Sequence, residues 1–392
     1  MRIAVLTTSY PRFEQDEAGV FIKRLVEAYN EAGAAGVVIV PRDRGEPERE
    51  QQNNFTIRRY RYGLFRSGQL AFGSGIKPNL KSRPLLLLQL PLLTLRMTWE
   101  GWLARRQFDV VHANWLIAGA AALLLKWITG RRYVLTVRGE EVLFFKRAAV
   151  RPILWLILKG ASRVTAVSVS ALEPLRENFP QFSGKFSSIP NGVSRCAVSA
   201  EAAGRFQLEK QLPRKLQYLL FVGTLVPRKR VETLIQLLAE PGLELFGVIP
   251  CGRTEESSYL NKLRSLAVRL GCVERVFFQG AVAPGEIPYY LALSRFYVTA
   301  SAFEGRPNAV LEAMAAGRVV FASDIAAHRE VIRPGINGYL FQPEQVSQLA
   351  RQLLQAGQAS ADTQGIARCA YAAVESFTWP RCAESYLDCF RR

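Results

Sequence analysis

The strongest constraint on the fold is an alternation of short apolar runs with longer amphipathic stretches that occurs twice along the chain. In the first half an apolar run at 3–6 is followed by a polar loop, by GVFIKRLVEAYNEAG from Gly19, and by VVIV at 37–40. DVVHANW (109–115), AGAAALLLKWITG, YVLTV (133–137), a helical stretch through 150–160 and VTAVS (164–168) continue it, and FSSIPNGV (186–193) ends it. Strand, helix, strand in this order predicts a parallel sheet, because parallel neighbours need a crossover to bring the chain back. The second half repeats the scheme with YLLFVG (218–223), RVETLIQLLAE, LELFGVI (243–249), SSYLNKLRSLAVRLG, VFFQG (276–280), EIPYYLALS, FYVTAS (296–301), NAVLEAMAAG, VVFAS (319–323) and NGYLF. The expectation is an α/β chain of two doubly wound Rossmann-like domains, 1–193 and 216–372, with residues 194–215 as a linker poor in regular pattern. The last segment, 373–392, reads as an amphipathic helix after Pro380. Two such sheets would face a cleft at the carboxyl ends of their strands, where open parallel sheets bind ligands.

Composition narrows the class. A length of 392 residues suits two domains. With 49% hydrophobic and 21% charged residues the chain is globular rather than disordered. Lys and Arg number 51 against 33 acids, and the resulting charge of +18 draws phosphates, nucleic acid or anionic lipid. The excess is uneven: residues 81–165 hold 14 Lys/Arg against 4 Asp/Glu. That stretch is also rich in Leu and Trp, as in LLLLQLPLLTLRMTWEGWLARR and VLFFKRAAVRPILWLILKGASR. Basic residues beside apolar helical faces suit an anionic membrane surface; the alternative is a set of buried helices with a solvated basic face. A spanning helix needs about 20 apolar residues, and the run at 85–95 is shorter and broken by Gln89 and Pro91. The start, MRIAVLTTSYPRF, does not read as a signal peptide. The expectation is a cytoplasmic protein, peripheral on the inner face of the cytoplasmic membrane. Six cysteines without a CxxC, in a chain with two histidines, predict no metal site.

The sharpest local signal is SAFEGRPNAVLEAMAAG at 301–317. A strand ends, a tight turn containing Gly305 and Pro307 follows, and a helix starts near Asn308. The free amides of a helix start are a ready anion site for a diphosphate. Glu304 precedes the turn, and Glu312 lies four residues after Asn308 on the same side of the helix. Carboxylates accept hydrogen bonds from sugar hydroxyls; the alternative is a helix-dipole charge and a solvated Glu312. A second signal is FVGTLVPRKRVETLI at 221–235, where Arg228 and Lys229 follow a strand and would neutralise charge on a leaving group. The alternative there is a solvated basic turn, the reading that suits Arg230. Gly19 opens the first helix and could offer a backbone amide to the same phosphates.

Taken together, EGRPNAVLEAMAAG, the VGTLVPRK turn, the IPNGV hinge and the VTAVS strand resemble glycosyltransferase family 4. The resemblance covers nearly the whole chain and is densest at 218–342; TTSYPRFEQDEAGVFIKR is similar to bacterial surface-polysaccharide and lipid-linked-sugar members. It implies the GT-B fold, retention of anomeric configuration, a nucleoside-diphosphate sugar as substrate, and no cofactor or metal. It also implies roles for individual residues. Glu304 would contact the transferred sugar, with the backbone from Gly305 through Arg306 and Pro307 to Asn308 and Ala309 around sugar and phosphate. Glu312 would take the ribose hydroxyls, and Arg228 and Lys229 the diphosphate, beside Gly223 and Thr224. The base would sit between the loop holding Gly252 and the segment with Val282 and Ile287. The final helix would cross back onto the N-terminal domain, and closure would exclude water.

Two positions depart from the family pattern. Thr224 stands where many members carry Arg, and Arg138-Gly139 where many carry His-Gly. Arg cannot act as a base at neutral pH; Arg138 would bind phosphate or a sugar hydroxyl, or else pair with Glu141. His112 could approach the cleft or be a satisfied core histidine; His328 reads as non-catalytic, with Glu330 nearby facing the phosphates. The function implied is transfer of a hexose-type sugar to a saccharide or lipid-linked acceptor, in cell-surface polysaccharide or glycolipid synthesis. The alternatives are a sugar-nucleotide epimerase of the same fold and a non-catalytic basic lipid- or nucleic-acid-binding protein. Nucleic acid is disfavoured because the paired acids would repel its backbone. A dinucleotide-dependent oxidoreductase is disfavoured because neither half shows GxGxxG after its first strand.

Overall fold

The computed structural model describes residues 1–13, 15–43, 45–63, 69–71, 76–139, 141, 145 and 147–391. The chain divides into two compact units, Met1–Gly192 with Thr378–Arg392, and Val193–Phe377.

The first unit is built on an eight-stranded sheet. Its strands are β1 (Arg2–Leu6), β2 (Ala35–Pro41), β3 (Arg49–Gln52), β4 (Phe55–Tyr60), β5 (Val110–Asn114), β6 (Tyr133–Val137), β7 (Arg163–Ala166) and β8 (Phe186–Ser188), in the order β3-β4-β2-β1-β5-β6-β7-β8. All neighbours are parallel except β3 and β4. β5 and β6 are buried at every position, which is why they read as unbroken apolar runs rather than alternating ones. The sequence does not announce the β3–β4 hairpin. It turns at Asn53 (φ 52°), and the buried charges that disguise β4 are paired: Arg58 with buried Glu100 at 2.8 Å and Arg59 with half-exposed Glu50 at 3.3 Å.

The helix Trp379–Arg391 completes this unit's core. Cys382, Ala383, Tyr386, Leu387 and Phe390 are buried with Ile22, Leu25, Val26 and Tyr29 of the helix Val20–Glu31. Where the chain leaves the unit at Gly192 and returns at Thr378 the two backbones are pressed together. A Cβ at Gly192 would lie 2.4 Å from the Trp379 nitrogen and 2.5 Å from its Cα.

The second unit holds a parallel sheet of β9 (Gln217–Val222), β10 (Phe246–Cys251), β11 (Ser294–Thr299), β12 (Val319–Ser323) and β13 (Tyr339–Phe341), in the order β10-β9-β11-β12-β13. Two expectations are corrected. VFFQG at 276–280 is no strand but touches β10 through single bridges at Val276 and Gly280. The cause is Pro250 in β10: its carbonyl accepts from the Gln279 amide (3.1 Å), but it has no N–H to return, so the ladder cannot close. Residues 194–215 also contain a helix, Ala200–Glu209, where a linker was expected. Ser199 caps it by accepting from the Ala202 amide at 3.2 Å, and Phe206 anchors it against Tyr289 and Tyr290 at centroid distances of 5.1 and 4.9 Å.

Gly192→Ala is expected to destabilise the protein by about 1–3 kcal/mol, since only backbone can yield. Gly184→Ala, where nothing lies within 4 Å, is expected to change stability by less than about 0.5 kcal/mol. Thermal or urea unfolding of the two variants checks the contrast.

Candidate active site

The C-terminal unit gathers its polar groups where β9, β10 and β11 end. The Gly223 amide donates to the Cys251 carbonyl (2.8 Å) and the Gly252 amide to the Gly280 carbonyl (2.7 Å). Gly252 has φ 151°, and a Cβ there would sit 2.0 Å from the Gly223 oxygen, so only glycine lets these loops meet. The chain then makes a short 3-10 turn, Pro227–Lys229, whose Arg228 carbonyl accepts from the Ala302 amide at 2.8 Å. That bond fixes the loop after β9 to the loop after β11. It brings Lys229 Nζ into a hydrogen bond with Glu304 Oε1, while Arg228 Nη1 lies 3.7 Å from Glu304 Oε2 and donates to the Phe303 carbonyl at 3.2 Å. The Lys229 and Glu304 side chains are each 12% exposed.

Burial alone would push the Glu304 carboxyl upward. The Lys229 charge and hydrogen bond, the Ser301 hydroxyl and the Arg228 charge outweigh it and hold the pKa below the ordinary value, so Glu304 is ionised. The phenol of buried Tyr297, which donates to the Val222 carbonyl at 3.4 Å, is driven up by burial and by the charges of Glu304 and Glu312. Both carboxylates are therefore close enough to be felt at one side chain. The helix Asn308–Ala315 that carries Glu312 starts after Pro307 without a side-chain cap. The Asn308 amide turns back to the Arg306 carbonyl at 3.0 Å, and the next two amides, of Ala309 and Val310, are the ones offered to an anion, with Gly305, Asn308 and Ala309 half-buried around them.

Not every expected residue faces this spot. Arg306 is buried, its guanidinium 4.8 Å over the Phe377 ring. Val282 belongs to the unit's core, with Ile287 packed against it, and Thr224 is half-buried beside Gly223. Arg230 pairs with Glu344 at 2.5 Å. His328, unremarkable in the sequence, is fully buried: its Nδ1 donates to the Ser323 carbonyl at 2.7 Å, and burial holds its pKa low. Among the described residues no cluster of three or more His, Cys, Asp or Glu is arranged to hold a metal ion.

In the N-terminal unit Gly19 (φ 71°) opens the helix Val20–Glu31 without a side-chain cap. His112 is a core residue. Its Nδ1 lies 3.1 Å from the Tyr29 hydroxyl and its Nε2 2.7 Å from Thr136 Oγ1, and burial and then the Arg138 charge depress its pKa. Arg138 does not send its guanidinium to Glu141. The Glu141 carboxylate accepts from the Arg138 backbone N–H at 3.0 and 3.2 Å, while the guanidinium donates to Asn191 Oδ1 (2.7 Å) and Asn114 Oδ1 (2.5 Å). Gly139 follows at φ 114°; Glu140 lies outside the described residues.

Two Rossmann-like units, one with an acid pair and a basic turn beside an open helix start, define the class of GT-B glycosyltransferases. The family model described as "Glycosyl transferases group 1" matches residues 205–364, and "Glycosyl transferase 4-like domain" matches residues 17–192. The chain belongs to the family-4 type of glycosyltransferase. It is 28% identical over 178 residues to O-antigen chain mannosyltransferase B of Escherichia coli, a match covering 44% of this chain and 45% of that one. The chain thus spans about half the length of the first curated relatives it matches, 45% and 46%. It is also 28% identical to a GDP-mannose-dependent alpha-(1-6)-phosphatidylinositol monomannoside mannosyltransferase of Mycobacterium tuberculosis, over 67% of this chain and 70% of that one. The crystal structure of Anabaena HepE in complex with UDP and glucose superimposes with a TM-score of 0.76 at 20% identity, covering 99% of this chain and 98% of that one.

Burial raises the Glu141 carboxyl from its ordinary 4.5 to about 7. The folded protein favours its neutral form, so this contribution to stability is complete below pH 4.5 and is lost as pH rises through 7. Glu141→Gln stays neutral, and its unfolding midpoint is expected to rise relative to wild type between pH 5 and pH 8; a gap that does not widen with pH contradicts the burial.

Proposed function

We propose that the chain moves a hexose-type sugar from a nucleoside diphosphate to a hydroxyl of a saccharide or lipid-linked acceptor, with retention, in cell-surface polysaccharide or glycolipid biosynthesis. The observation that carries the reading is the Arg228–Lys229–Glu304 cluster beside the uncapped helix at Asn308. As the glycosidic bond breaks, charge builds on the diphosphate. Two fixed cations and a set of helix amides stabilise that charge more than the ground state, which is what lowers a barrier. Glu304, ionised and held by Lys229, accepts from hydroxyls of the sugar, and Glu312 from those of the nucleoside. The reading needs no cofactor and no metal, because Arg228 and Lys229 supply the positive charge. With no side chain assigned as nucleophile, the donor phosphate takes the acceptor proton on the same face, and configuration is retained. GDP-mannose, the donor named for one relative, and the UDP and glucose bound in the similar HepE structure support a sugar nucleotide and leave the base to experiment.

Thermal unfolding with UDP-, GDP- and ADP-sugars is expected to single out one base by its stabilisation. Glu304→Gln should then lower kcat about 100-fold or more while nucleoside diphosphate affinity stays within about threefold. Lys229→Ala should weaken that affinity by about tenfold. Coupling constants at the anomeric centre of the product distinguish retention from inversion, and an inverted product ends the retaining reading.

The acceptor reading draws on a different surface, in the N-terminal unit. The helices Gln89–Leu103, Trp115–Thr129 and Arg151–Gly160 all pack on one hydrophobic core. Their outward faces, with the 3-10 turn Pro84–Leu88, carry eleven of the twenty exposed large apolar side chains among the described residues. Leu85 and Leu88 are 81% and 75% exposed and Trp127 63%. Arg83, Arg96, Arg106, Arg151 and Lys159 are exposed among them, with the Lys159 ammonium 4.6 Å over the Trp155 ring. Apolar side chains ringed by cations fit a bilayer with anionic headgroups. No helix among the described residues is long and apolar enough to cross a membrane. Leu88→Ser combined with Trp127→Ser is expected to weaken binding to phosphatidylglycerol vesicles, read by co-sedimentation, about thirtyfold, since each lost contact is worth on the order of 1 kcal/mol. Undiminished binding contradicts this surface.

A further inference from the structure

The N-terminal unit holds a second arrangement of donors that the transfer reading does not use. Asn114 ends β5 and stands at the N-cap position of the fifteen-residue helix Trp115–Thr129, yet its side chain does not cap that helix. Its Oδ1 instead accepts from Arg138 Nη2 at 2.5 Å. A guanidinium only donates, so this bond fixes the amide's orientation and leaves Nδ2 as the remaining donor. Asn114 is 0% exposed, and its Nδ2 has no partner; Arg138 Nε is likewise buried without one. The helix start lacks both a side-chain cap and an acidic residue in its first turn.

Arg138 itself is clamped. Nη1 donates to Asn191 Oδ1 at 2.7 Å, and the guanidinium lies 5.0 Å over the Phe21 ring. Phe21 in turn packs edge-on against Trp115 at 5.9 Å. Both hydrogen-bond partners of the guanidinium are neutral amides, so its orientation is set and its charge is not cancelled. Among the described residues no carboxylate forms an ion pair with it, and Glu141 is engaged with backbone N–H groups. A half-buried fixed cation, an orphaned amide donor and an open helix start thus meet at the carboxyl ends of β5 and β6.

We infer that Asn114, Arg138 and the start of the helix Trp115–Thr129 form an oxyanion-binding site for a phosphoryl or carboxylate group. The two remaining N–H groups of the Arg138 Nη atoms and the helix amides receive the oxyanion, and Asn114 Nδ2 completes the set. Assigning that oxyanion to the acceptor, and so making the acceptor anionic, rests on the transfer reading; the binding itself does not.

The test uses the full chain carrying Arg228→Ala and Lys229→Ala, which silences the basic turn of the other unit. It is titrated with methyl phosphate and with acetate, followed by calorimetry or amide chemical shifts. Saturable binding of at least one anion is expected, and the anion that binds more tightly identifies the group as phosphoryl or carboxylate. Asn114→Asp keeps the shape but sets a carboxylate against the guanidinium, and should weaken binding about tenfold or more. Arg138→Gln should do the same. If Arg138→Gln fails to fold by circular dichroism, Asn114→Asp alone decides. Binding unchanged in Asn114→Asp, or no binding of either anion in the starting chain, overturns the site. Failure of the transfer reading shows separately, as absence of nucleoside diphosphate binding to the wild-type chain.

Discussion

The geometry of the C-terminal unit turns on one buried ion pair, Lys229 with Glu304. Taking both charges out of water costs nearly what their attraction returns, so such a pair is a weak source of stability. Its effect is positional. The backbone bond from Ala302 to Arg228 already ties two loops together, and the ion pair fixes the side chains that project from them. Because Lys229 keeps Glu304 ionised despite burial, the site presents an acceptor carboxylate and a cation side by side. A sugar diphosphate needs both, its hydroxyls the one and its phosphates the other.

Much of this was legible in the residues because the two signals are local. A strand followed by EGRPN and a helix start, or by VPRK and a helix, encodes its own geometry within about a dozen positions. What was not legible depends on residues far apart. The β3–β4 hairpin looks too charged to be a strand until Arg58 is seen against Glu100, 42 positions away. The failed strand at 276–280 follows from Pro250, a residue on the neighbouring strand. The helix at 200–209 was readable in principle, since Ser199 is a good cap, but its anchoring by Tyr289 and Tyr290 is not visible locally.

The two departures from the family pattern have different structural weight. Thr224 sits half-buried at the turn where the resemblance led us to expect Arg, and Arg228 and Lys229 bring positive charge to the neighbouring Glu304. Arg138 is the more consequential. Its neighbours Asn114 and Asn191 are acceptors matched to a guanidinium, and Phe21 offers a flat surface for it. An imidazole in its place would leave at least one of these amides unsatisfied, so the surroundings are adapted to arginine.

The helix Trp379–Arg391 belongs to the core of the N-terminal unit, with 185 residues of another unit between Gly192 and Thr378. Were that intervening stretch unfolded, bringing its two ends together would cost about 5 kcal/mol of chain entropy. Once folded it removes nearly all of that cost, because Val193 and Phe377 are already joined by a backbone hydrogen bond of 2.8 Å. The second unit is therefore a clasp for the first. During synthesis the N-terminal sheet emerges before the helix Trp379–Arg391, so the apolar surface of Tyr29 and its neighbours that this helix covers stays open until the helix has been made and the clasp delivers it.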